Sequence, residues 1–183
     1  MQILETADLI PKKGSPDDFD AMIRNFWSDH ESAKTMLWKP ADTYDEGLAL
    51  CRRVLNLQSG APASFWIYDK ATGEAIGSAG MQEVSPGVWE DAGIGIGSRF
   101  TGRGLGTQIL GALIDHCFQA LNAEKVVCSC MTENRASARM MEKCGMVRTA
   151  APEEPEVRKW DGYRYHIFIY ELTREAWTHM NRA

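Results

Sequence analysis

Three glycines, Gly102, Gly104 and Gly106, alternate with Arg103 and Leu105 and lead into Thr107, just where an amphipathic stretch begins. Glycine has no Cβ, so the backbone can turn tightly and bring several N–H groups to a ligand, and the first turn of a helix leaves its own N–H donors unpaired. That combination holds an anion, and its natural guest is a phosphate or pyrophosphate. Two phosphate motifs fail here. A Walker loop requires Gly-Lys-Ser/Thr, and no lysine lies in this region; a dinucleotide loop requires G-x-G-x-x-G, and Thr107 stands at its last position. The five cysteines, Cys51, Cys117, Cys128, Cys130 and Cys144, lie in apolar surroundings without metal spacing, which predicts reduced core thiols and no bound metal. No histidine has a partner evident from spacing.

The elements that position this loop follow from hydrophobic period. Residues 3–12 read as an opening strand ending near Pro11. Ser15 caps a helix with Pro16 at its first position and Phe19, Met22, Ile23 and Phe26 on the buried face. A short helical piece covers residues 30–36. Thr43 and Glu46 form a capping box for a helix to about Leu57, and residues 58–62 break the pattern. Residues 65–68, 75–84 and 88–97 then read as an antiparallel meander. The glycine loop opens a helix over 105–121, and Lys125–Met131 is a buried strand. It lies parallel to the strand before the helix, because a crossover helix joins them. Thr132 is expected to cap the next helix, with Ala136, Met140, Met141 and Cys144 inward and Gly145 at its end. Residues 157–160 and 163–172 flank an Asp161-Gly162 turn, and a Thr173-capped helix closes the chain. The fold class is α+β, one domain over residues 1–183, with a mixed, mostly antiparallel sheet and one parallel crossover at the glycine loop.

Three segments carry a resemblance. FTGRGLGTQIL (residues 100–110) is similar to the pyrophosphate loop Gln/Arg-x-x-Gly-x-Gly/Ala of the GNAT superfamily of acetyl-CoA-dependent N-acetyltransferases. TENRASARMMEKCGM (132–146) is similar to that family's Asn-x-x-Ser helix ending in Glu-Lys-x-Gly, and YELTREAW (170–177) resembles the tail of the branch that acetylates ribosomal-protein N-termini. With Gly104 and Gly106 on the motif's small residues, its leading Gln/Arg falls on Thr101. The resemblance implies an α/β/α sandwich in which the strand over 88–97 and the strand Lys125–Met131 splay apart. The pantetheine arm of acetyl-CoA then pairs with Ile94, Gly95 and Ile96, one N–H polarises the thioester carbonyl, and residues 101–107 hold the pyrophosphate. Gly93, Gly95 and Gly97 fit a bulge or a close backbone approach, or simply relieve crowding.

It also implies roles for side chains. Glu90 stands where several relatives keep a glutamate that takes the amine proton through water; Asp91 points to the opposite face. Met141 replaces a common tyrosine, and Ser137 matches the serine expected to protonate the thiolate, unless it only bonds its own helix. Asn134 faces the pantetheine amides. Trp38, Tyr163 and His166 are the acceptor-side candidates, from the first helices and the last hairpin, with Trp38 equally readable as core. The implied activity is direct acetyl transfer from acetyl-CoA, as cosubstrate, to a primary amine on a protein N-terminus or a small molecule. The alternative is a noncatalytic acyl-CoA-binding protein on the same fold.

Composition sets the remaining bounds. A net charge of −5 over 183 residues, with no basic run, argues against nucleic acid or acidic membrane as partner. The first residues lack a signal peptide's pattern, which predicts a cytoplasmic protein, monomer or homodimer.

Overall fold

Residue period alone assigns the two faces of the sheet. In the computed structural model, which describes residues 4–180, strand β2 (Ser64–Asp69) sends Phe65 and Ile67 into one core and Trp66 and Tyr68 into another. A strand buried on both faces needs helices on both sides, and they are present. On the first face α4 (Leu105–Ala120) and α5 (Arg135–Lys143) cover the sheet, with Leu105, Ile109 and Leu113 of α4 fully buried. On the second lie α1 (Phe19–Met22), a π turn (Ile23–Trp27) and α3 (Tyr44–Gly60), packing Met22, Phe26 and Cys51 on Trp66. A four-residue helix, α2 (His30–Ala33), follows the π turn, and α6 (Arg174–Met180) ends the described chain.

The main sheet has seven strands. In spatial order they are β1 (Leu9–Lys12), β2, β3 (Ala75–Ser85), β4 (Val88–Ile96), β5 (Lys125–Met131), β9 (Ile167–Thr173) and β6 (Val147–Thr149). All neighbours are antiparallel except β4 and β5. That parallel pair, joined by α4, is the crossover expected at the glycine loop. Its register covers only Val88–Glu90 against residues 125–127, after which the strands separate. A bulge lies just beyond: Gly80 of β3 faces both Ala92 and Gly93 of β4, and Gly93 takes a φ of +103°.

Several local expectations are corrected. The opening strand begins at Leu9, and residue 3 lies outside the described residues. The capping box at Thr43 and Glu46 is present, but α3 continues through residues 58–60 to Gly60. Asn134, not Thr132, caps α5, because the Asn134 N–H turns back onto the Met131 carbonyl while its side chain accepts from the Ser137 N–H at 3.0 Å. Ala136 is exposed rather than inward. The hairpin about Asp161-Gly162 pairs only β7 (Glu156–Val157) with β8 (Arg164–Tyr165), across a six-residue loop rather than a two-residue turn. Strand β6, wholly exposed, has no apolar alternation by which to read it.

Candidate functional site

The glycine loop adopts the geometry its composition allows. Gly102 and Gly104 have φ of +80° and +76°, values that a side chain makes costly, and Gly104 is the N-cap of α4 with no side chain satisfying the first-turn N–H groups. Those donors and the positive end of a sixteen-residue helix face a cavity of about 370 Å³. Gly106 brings α4 close to α5: a Cβ there would stand 2.9 Å from the Met140 sulfur, so that flexible side chain would have to shift.

Ile94, Gly95, Ile96, Thr101, Gly102, Gly104, Leu105, Gly106, Thr107 and Asn134 all line this cavity. Arg103 does not; its guanidinium turns away to Asp69 of β2 at 3.3 Å. A phosphate cradle of backbone N–H groups, a gap between two strands and a deep apolar wall suit a coenzyme A pyrophosphate with its extended arm.

The cavity is closed on the second side by Glu31, Ser32, Thr35 and Met36, a segment from which the sequence offered only its neighbour Trp38. Ser32 donates to the Ile96 carbonyl at 3.1 Å, and Asp29 accepts from the Ser98 N–H at 2.5 Å, which anchors this segment to the end of β4. The Met36 methyl and the Phe26 ring cover the Cα of Gly95 so closely that a Cβ would collide with both. Gly95 therefore serves close approach of side chains, not a turn. Trp38 packs tilted against Phe26 and edge-on against Trp27 in the second core, outside the cavity. Tyr163 and His166 are exposed on the hairpin side and do not line it; Tyr163 instead bonds Glu133 at 2.9 Å.

Two carboxylates meet where β4 and β5 part. Glu90 is the last residue in register with β5, half-buried and outside the cavity lining. Asp91 faces the other way and reaches across the opening to accept from the Ser129 N–H of β5 at 2.9 Å, a backbone group that strand pairing would otherwise satisfy. Burial pushes the Asp91 carboxyl up to about 6, opposed by the Ser129 N–H and assisted by the neighbouring Glu90. The alternation of strand side chains foretold its direction, but not that burial at the fork would make it the more perturbed acid.

Ser137 lines the cavity, and its hydroxyl partly offsets the rise that burial gives the Cys130 thiol. Asn134 uses its oxygen on the Ser137 N–H and its amide nitrogen on Thr35, at 3.1 Å, so it ties α5 to the second wall of the cavity. Met141, where a tyrosine would stand, is buried. All five cysteines are free thiols. Burial raises Cys130 and Cys144 to about 11 and Cys51 and Cys117 to about 12, and holds Cys128 well above the ordinary thiol range, which disfavours a thiolate nucleophile. Among the described residues no cluster of three or more metal-ligating side chains occurs, and no helix is long and apolar enough to cross a membrane.

Comparison with known proteins adds a family to this geometry. The uncharacterized N-acetyltransferase p20 of Bacillus licheniformis is 23% identical over 97% of this chain and 99% of its own length. The solved structure of RimL, a ribosomal-protein alpha-N-acetyltransferase in complex with coenzyme A, superposes with a TM-score of 0.79 at 17% identity, covering 96% of this chain and 99% of that one. Spermidine N-acetyltransferase from Vibrio cholerae, in complex with CoA and spermine, gives 0.75 at 17%, covering 94% and 99%. At such identities the superpositions speak for the fold. The model of the acetyltransferase (GNAT) domain matches residues 10–147, three quarters of the sequence, and with it the chain belongs to the GNAT acetyltransferase family and is an N-acetyltransferase.

Proposed function

We propose that this protein transfers an acetyl group from acetyl-CoA directly to a primary amine held between the 31–36 segment and β4. The observation that carries the reading is that the glycine cradle, the open edge of β4 and Ser137 all border one cavity. Bound acetyl-CoA supplies an activated acyl carbon and a thiolate leaving group. The N–H groups at the start of α4 hold the pyrophosphate, and a backbone N–H among residues 94–96 is placed to polarise the acyl carbonyl. An incoming amine must lose a proton. Neither Asp91 nor Glu90 lines the cavity, so the proton leaves through water to the Asp91 carboxylate, whose proton affinity burial raises to about 6; Glu90, on the opposite face, extends the route to solvent. Ser137, on the cavity wall, gives a proton to the departing thiolate.

Glu31, the one charged side chain among the described residues of the cavity wall, suits a cationic amine. A protein N-terminus and a polyamine both answer that description, as do the acceptors named for the two superposed enzymes. A cytoplasmic location belongs to the same proposal.

Thiol release from acetyl-CoA over a panel of serine-, alanine- and threonine-starting peptides, spermidine and spermine tests it. Turnover with at least one amine, cut by about 10²-fold in kcat by Ser137→Ala with CoA affinity retained, is the expected result. CoA binding with no turnover on any amine would support the acyl-CoA-binding alternative instead.

A further inference from the structure

Arg158 is 7% exposed, although it sits in the loop of the small β7–β8 hairpin. A guanidinium so enclosed must have every N–H directed at an acceptor. Nε and Nη2 grip Asp161 at 2.9 and 2.6 Å, a bidentate pair that fixes the plane of the group. The remaining nitrogen, Nη1, donates to three backbone carbonyls, Ala33 at 3.2 Å, Lys34 at 2.7 Å and Met36 at 3.2 Å. Those carbonyls lie at and just beyond the end of a helix only four residues long, where only the Met36 N–H on the Ala33 carbonyl continues the turn, so the segment has little means of holding its own shape. The Trp160 and Tyr163 rings lie 4.5 and 5.2 Å from the guanidinium carbon and shield it from water.

What Arg158 holds is the second wall of the cavity. Thr35 and Met36 line it, and the Met36 side chain rests on Gly95, where the acyl group is read to lie. Two further bonds close a ring around the mouth: Tyr163 to Glu133, and Asn134 to Thr35. The hairpin, the 31–36 segment and the start of α5 thus brace one another, with Arg158 making the most bonds of the three.

We propose that Arg158 is the positioning residue of the acceptor site, setting from a distant hairpin the placement of Thr35 and Met36 against β4 and so the affinity for the amine. This rests on the acetyl-transfer reading. The bond set demands a fork: lysine keeps the charge but cannot serve Asp161 in two places and three carbonyls together.

The test compares Arg158→Lys and Asp161→Asn with the unaltered enzyme, using whichever of spermidine or a serine-starting peptide that enzyme acetylates. The acceptor KM is expected to rise at least tenfold in both variants, with kcat changed less than threefold and CoA affinity less than twofold. Amide hydrogen exchange of residues 31–36 should quicken tenfold while that of residues 105–110 stays put. An acceptor KM within twofold of the parent, or a parallel loss of CoA affinity, overturns the proposal. The exchange measurement needs no acceptor: if no amine is acetylated, the transfer reading falls, and unchanged exchange over 31–36 separately overturns the bracing role. Asp161→Asn leaves the guanidinium in place, so it decides the matter should the lysine variant not fold.

Discussion

Asp91 ties the stability of this fold to pH, and with it the proton route proposed above. Its carboxyl is raised to about 6, so the native state holds the proton more tightly than the unfolded chain, whose value is near 3.8. The native fold therefore binds more protons than the unfolded chain between those values, and stability falls as pH rises through that window. The ionised form costs about 1–3 kcal/mol above pH 6, and nothing below pH 4. Asp91→Asn keeps an acceptor for the Ser129 N–H and removes the charge. It should melt higher than the parent at pH 7.5, by a margin that vanishes near pH 4, as thermal scans across pH would record. The same residue predicts activity: kcat/KM should climb with pH through about 6 and flatten, and the Asn variant should lose that limb. Glu90 was the carboxylate legible from resemblance, since one position along a strand is easily read. The neighbour's burial was not, because it depends on where two strands distant in sequence diverge.

At the scale of elements, what could be read was local and what could not was shared. The capping box of α3 needs only Thr43 and Glu46, three residues apart, and it forms as written. The cap of α5 was expected at Thr132, and a turn of the backbone onto Met131 moves it to Asn134. The hairpin signal at Asp161-Gly162 was real, but Arg158 draws its loop toward another part of the molecule and leaves only two strand pairs. The glycine loop was the most legible element, since its conformation is demanded by missing side chains. Gly104→Ala places a methyl at a φ of +76° and should cost about 1–2 kcal/mol of stability. A shift of the loop by that strain should weaken CoA roughly tenfold, measured by calorimetric titration.

For the whole molecule, the sequence of strands and helices along the chain was present in its periods, whereas the two helical layers about the sheet came with the family resemblance and are borne out by burial on both faces. The proposed acceptor side was not, since its wall joins residues 31–36 to residues 134 and 158, about a hundred positions away, by the Asn134–Thr35 bond and by Arg158 on backbone carbonyls that any sequence possesses. Ligand linkage acts at this scale. CoA at a hundred times its dissociation constant should add about 2.7 kcal/mol, and raise the melting temperature by roughly 5–10 °C in a thermal-shift assay. The parting of β4 from β5 carries one more consequence. Beyond Glu90, β4 is an edge strand in the middle of a sheet, with backbone groups turned toward a gap. Exposed edges invite pairing with another chain. The pantetheine arm would then serve as a sheath for that edge as well as a reactant, so the cofactor's presence during purification and storage guards solubility as much as activity.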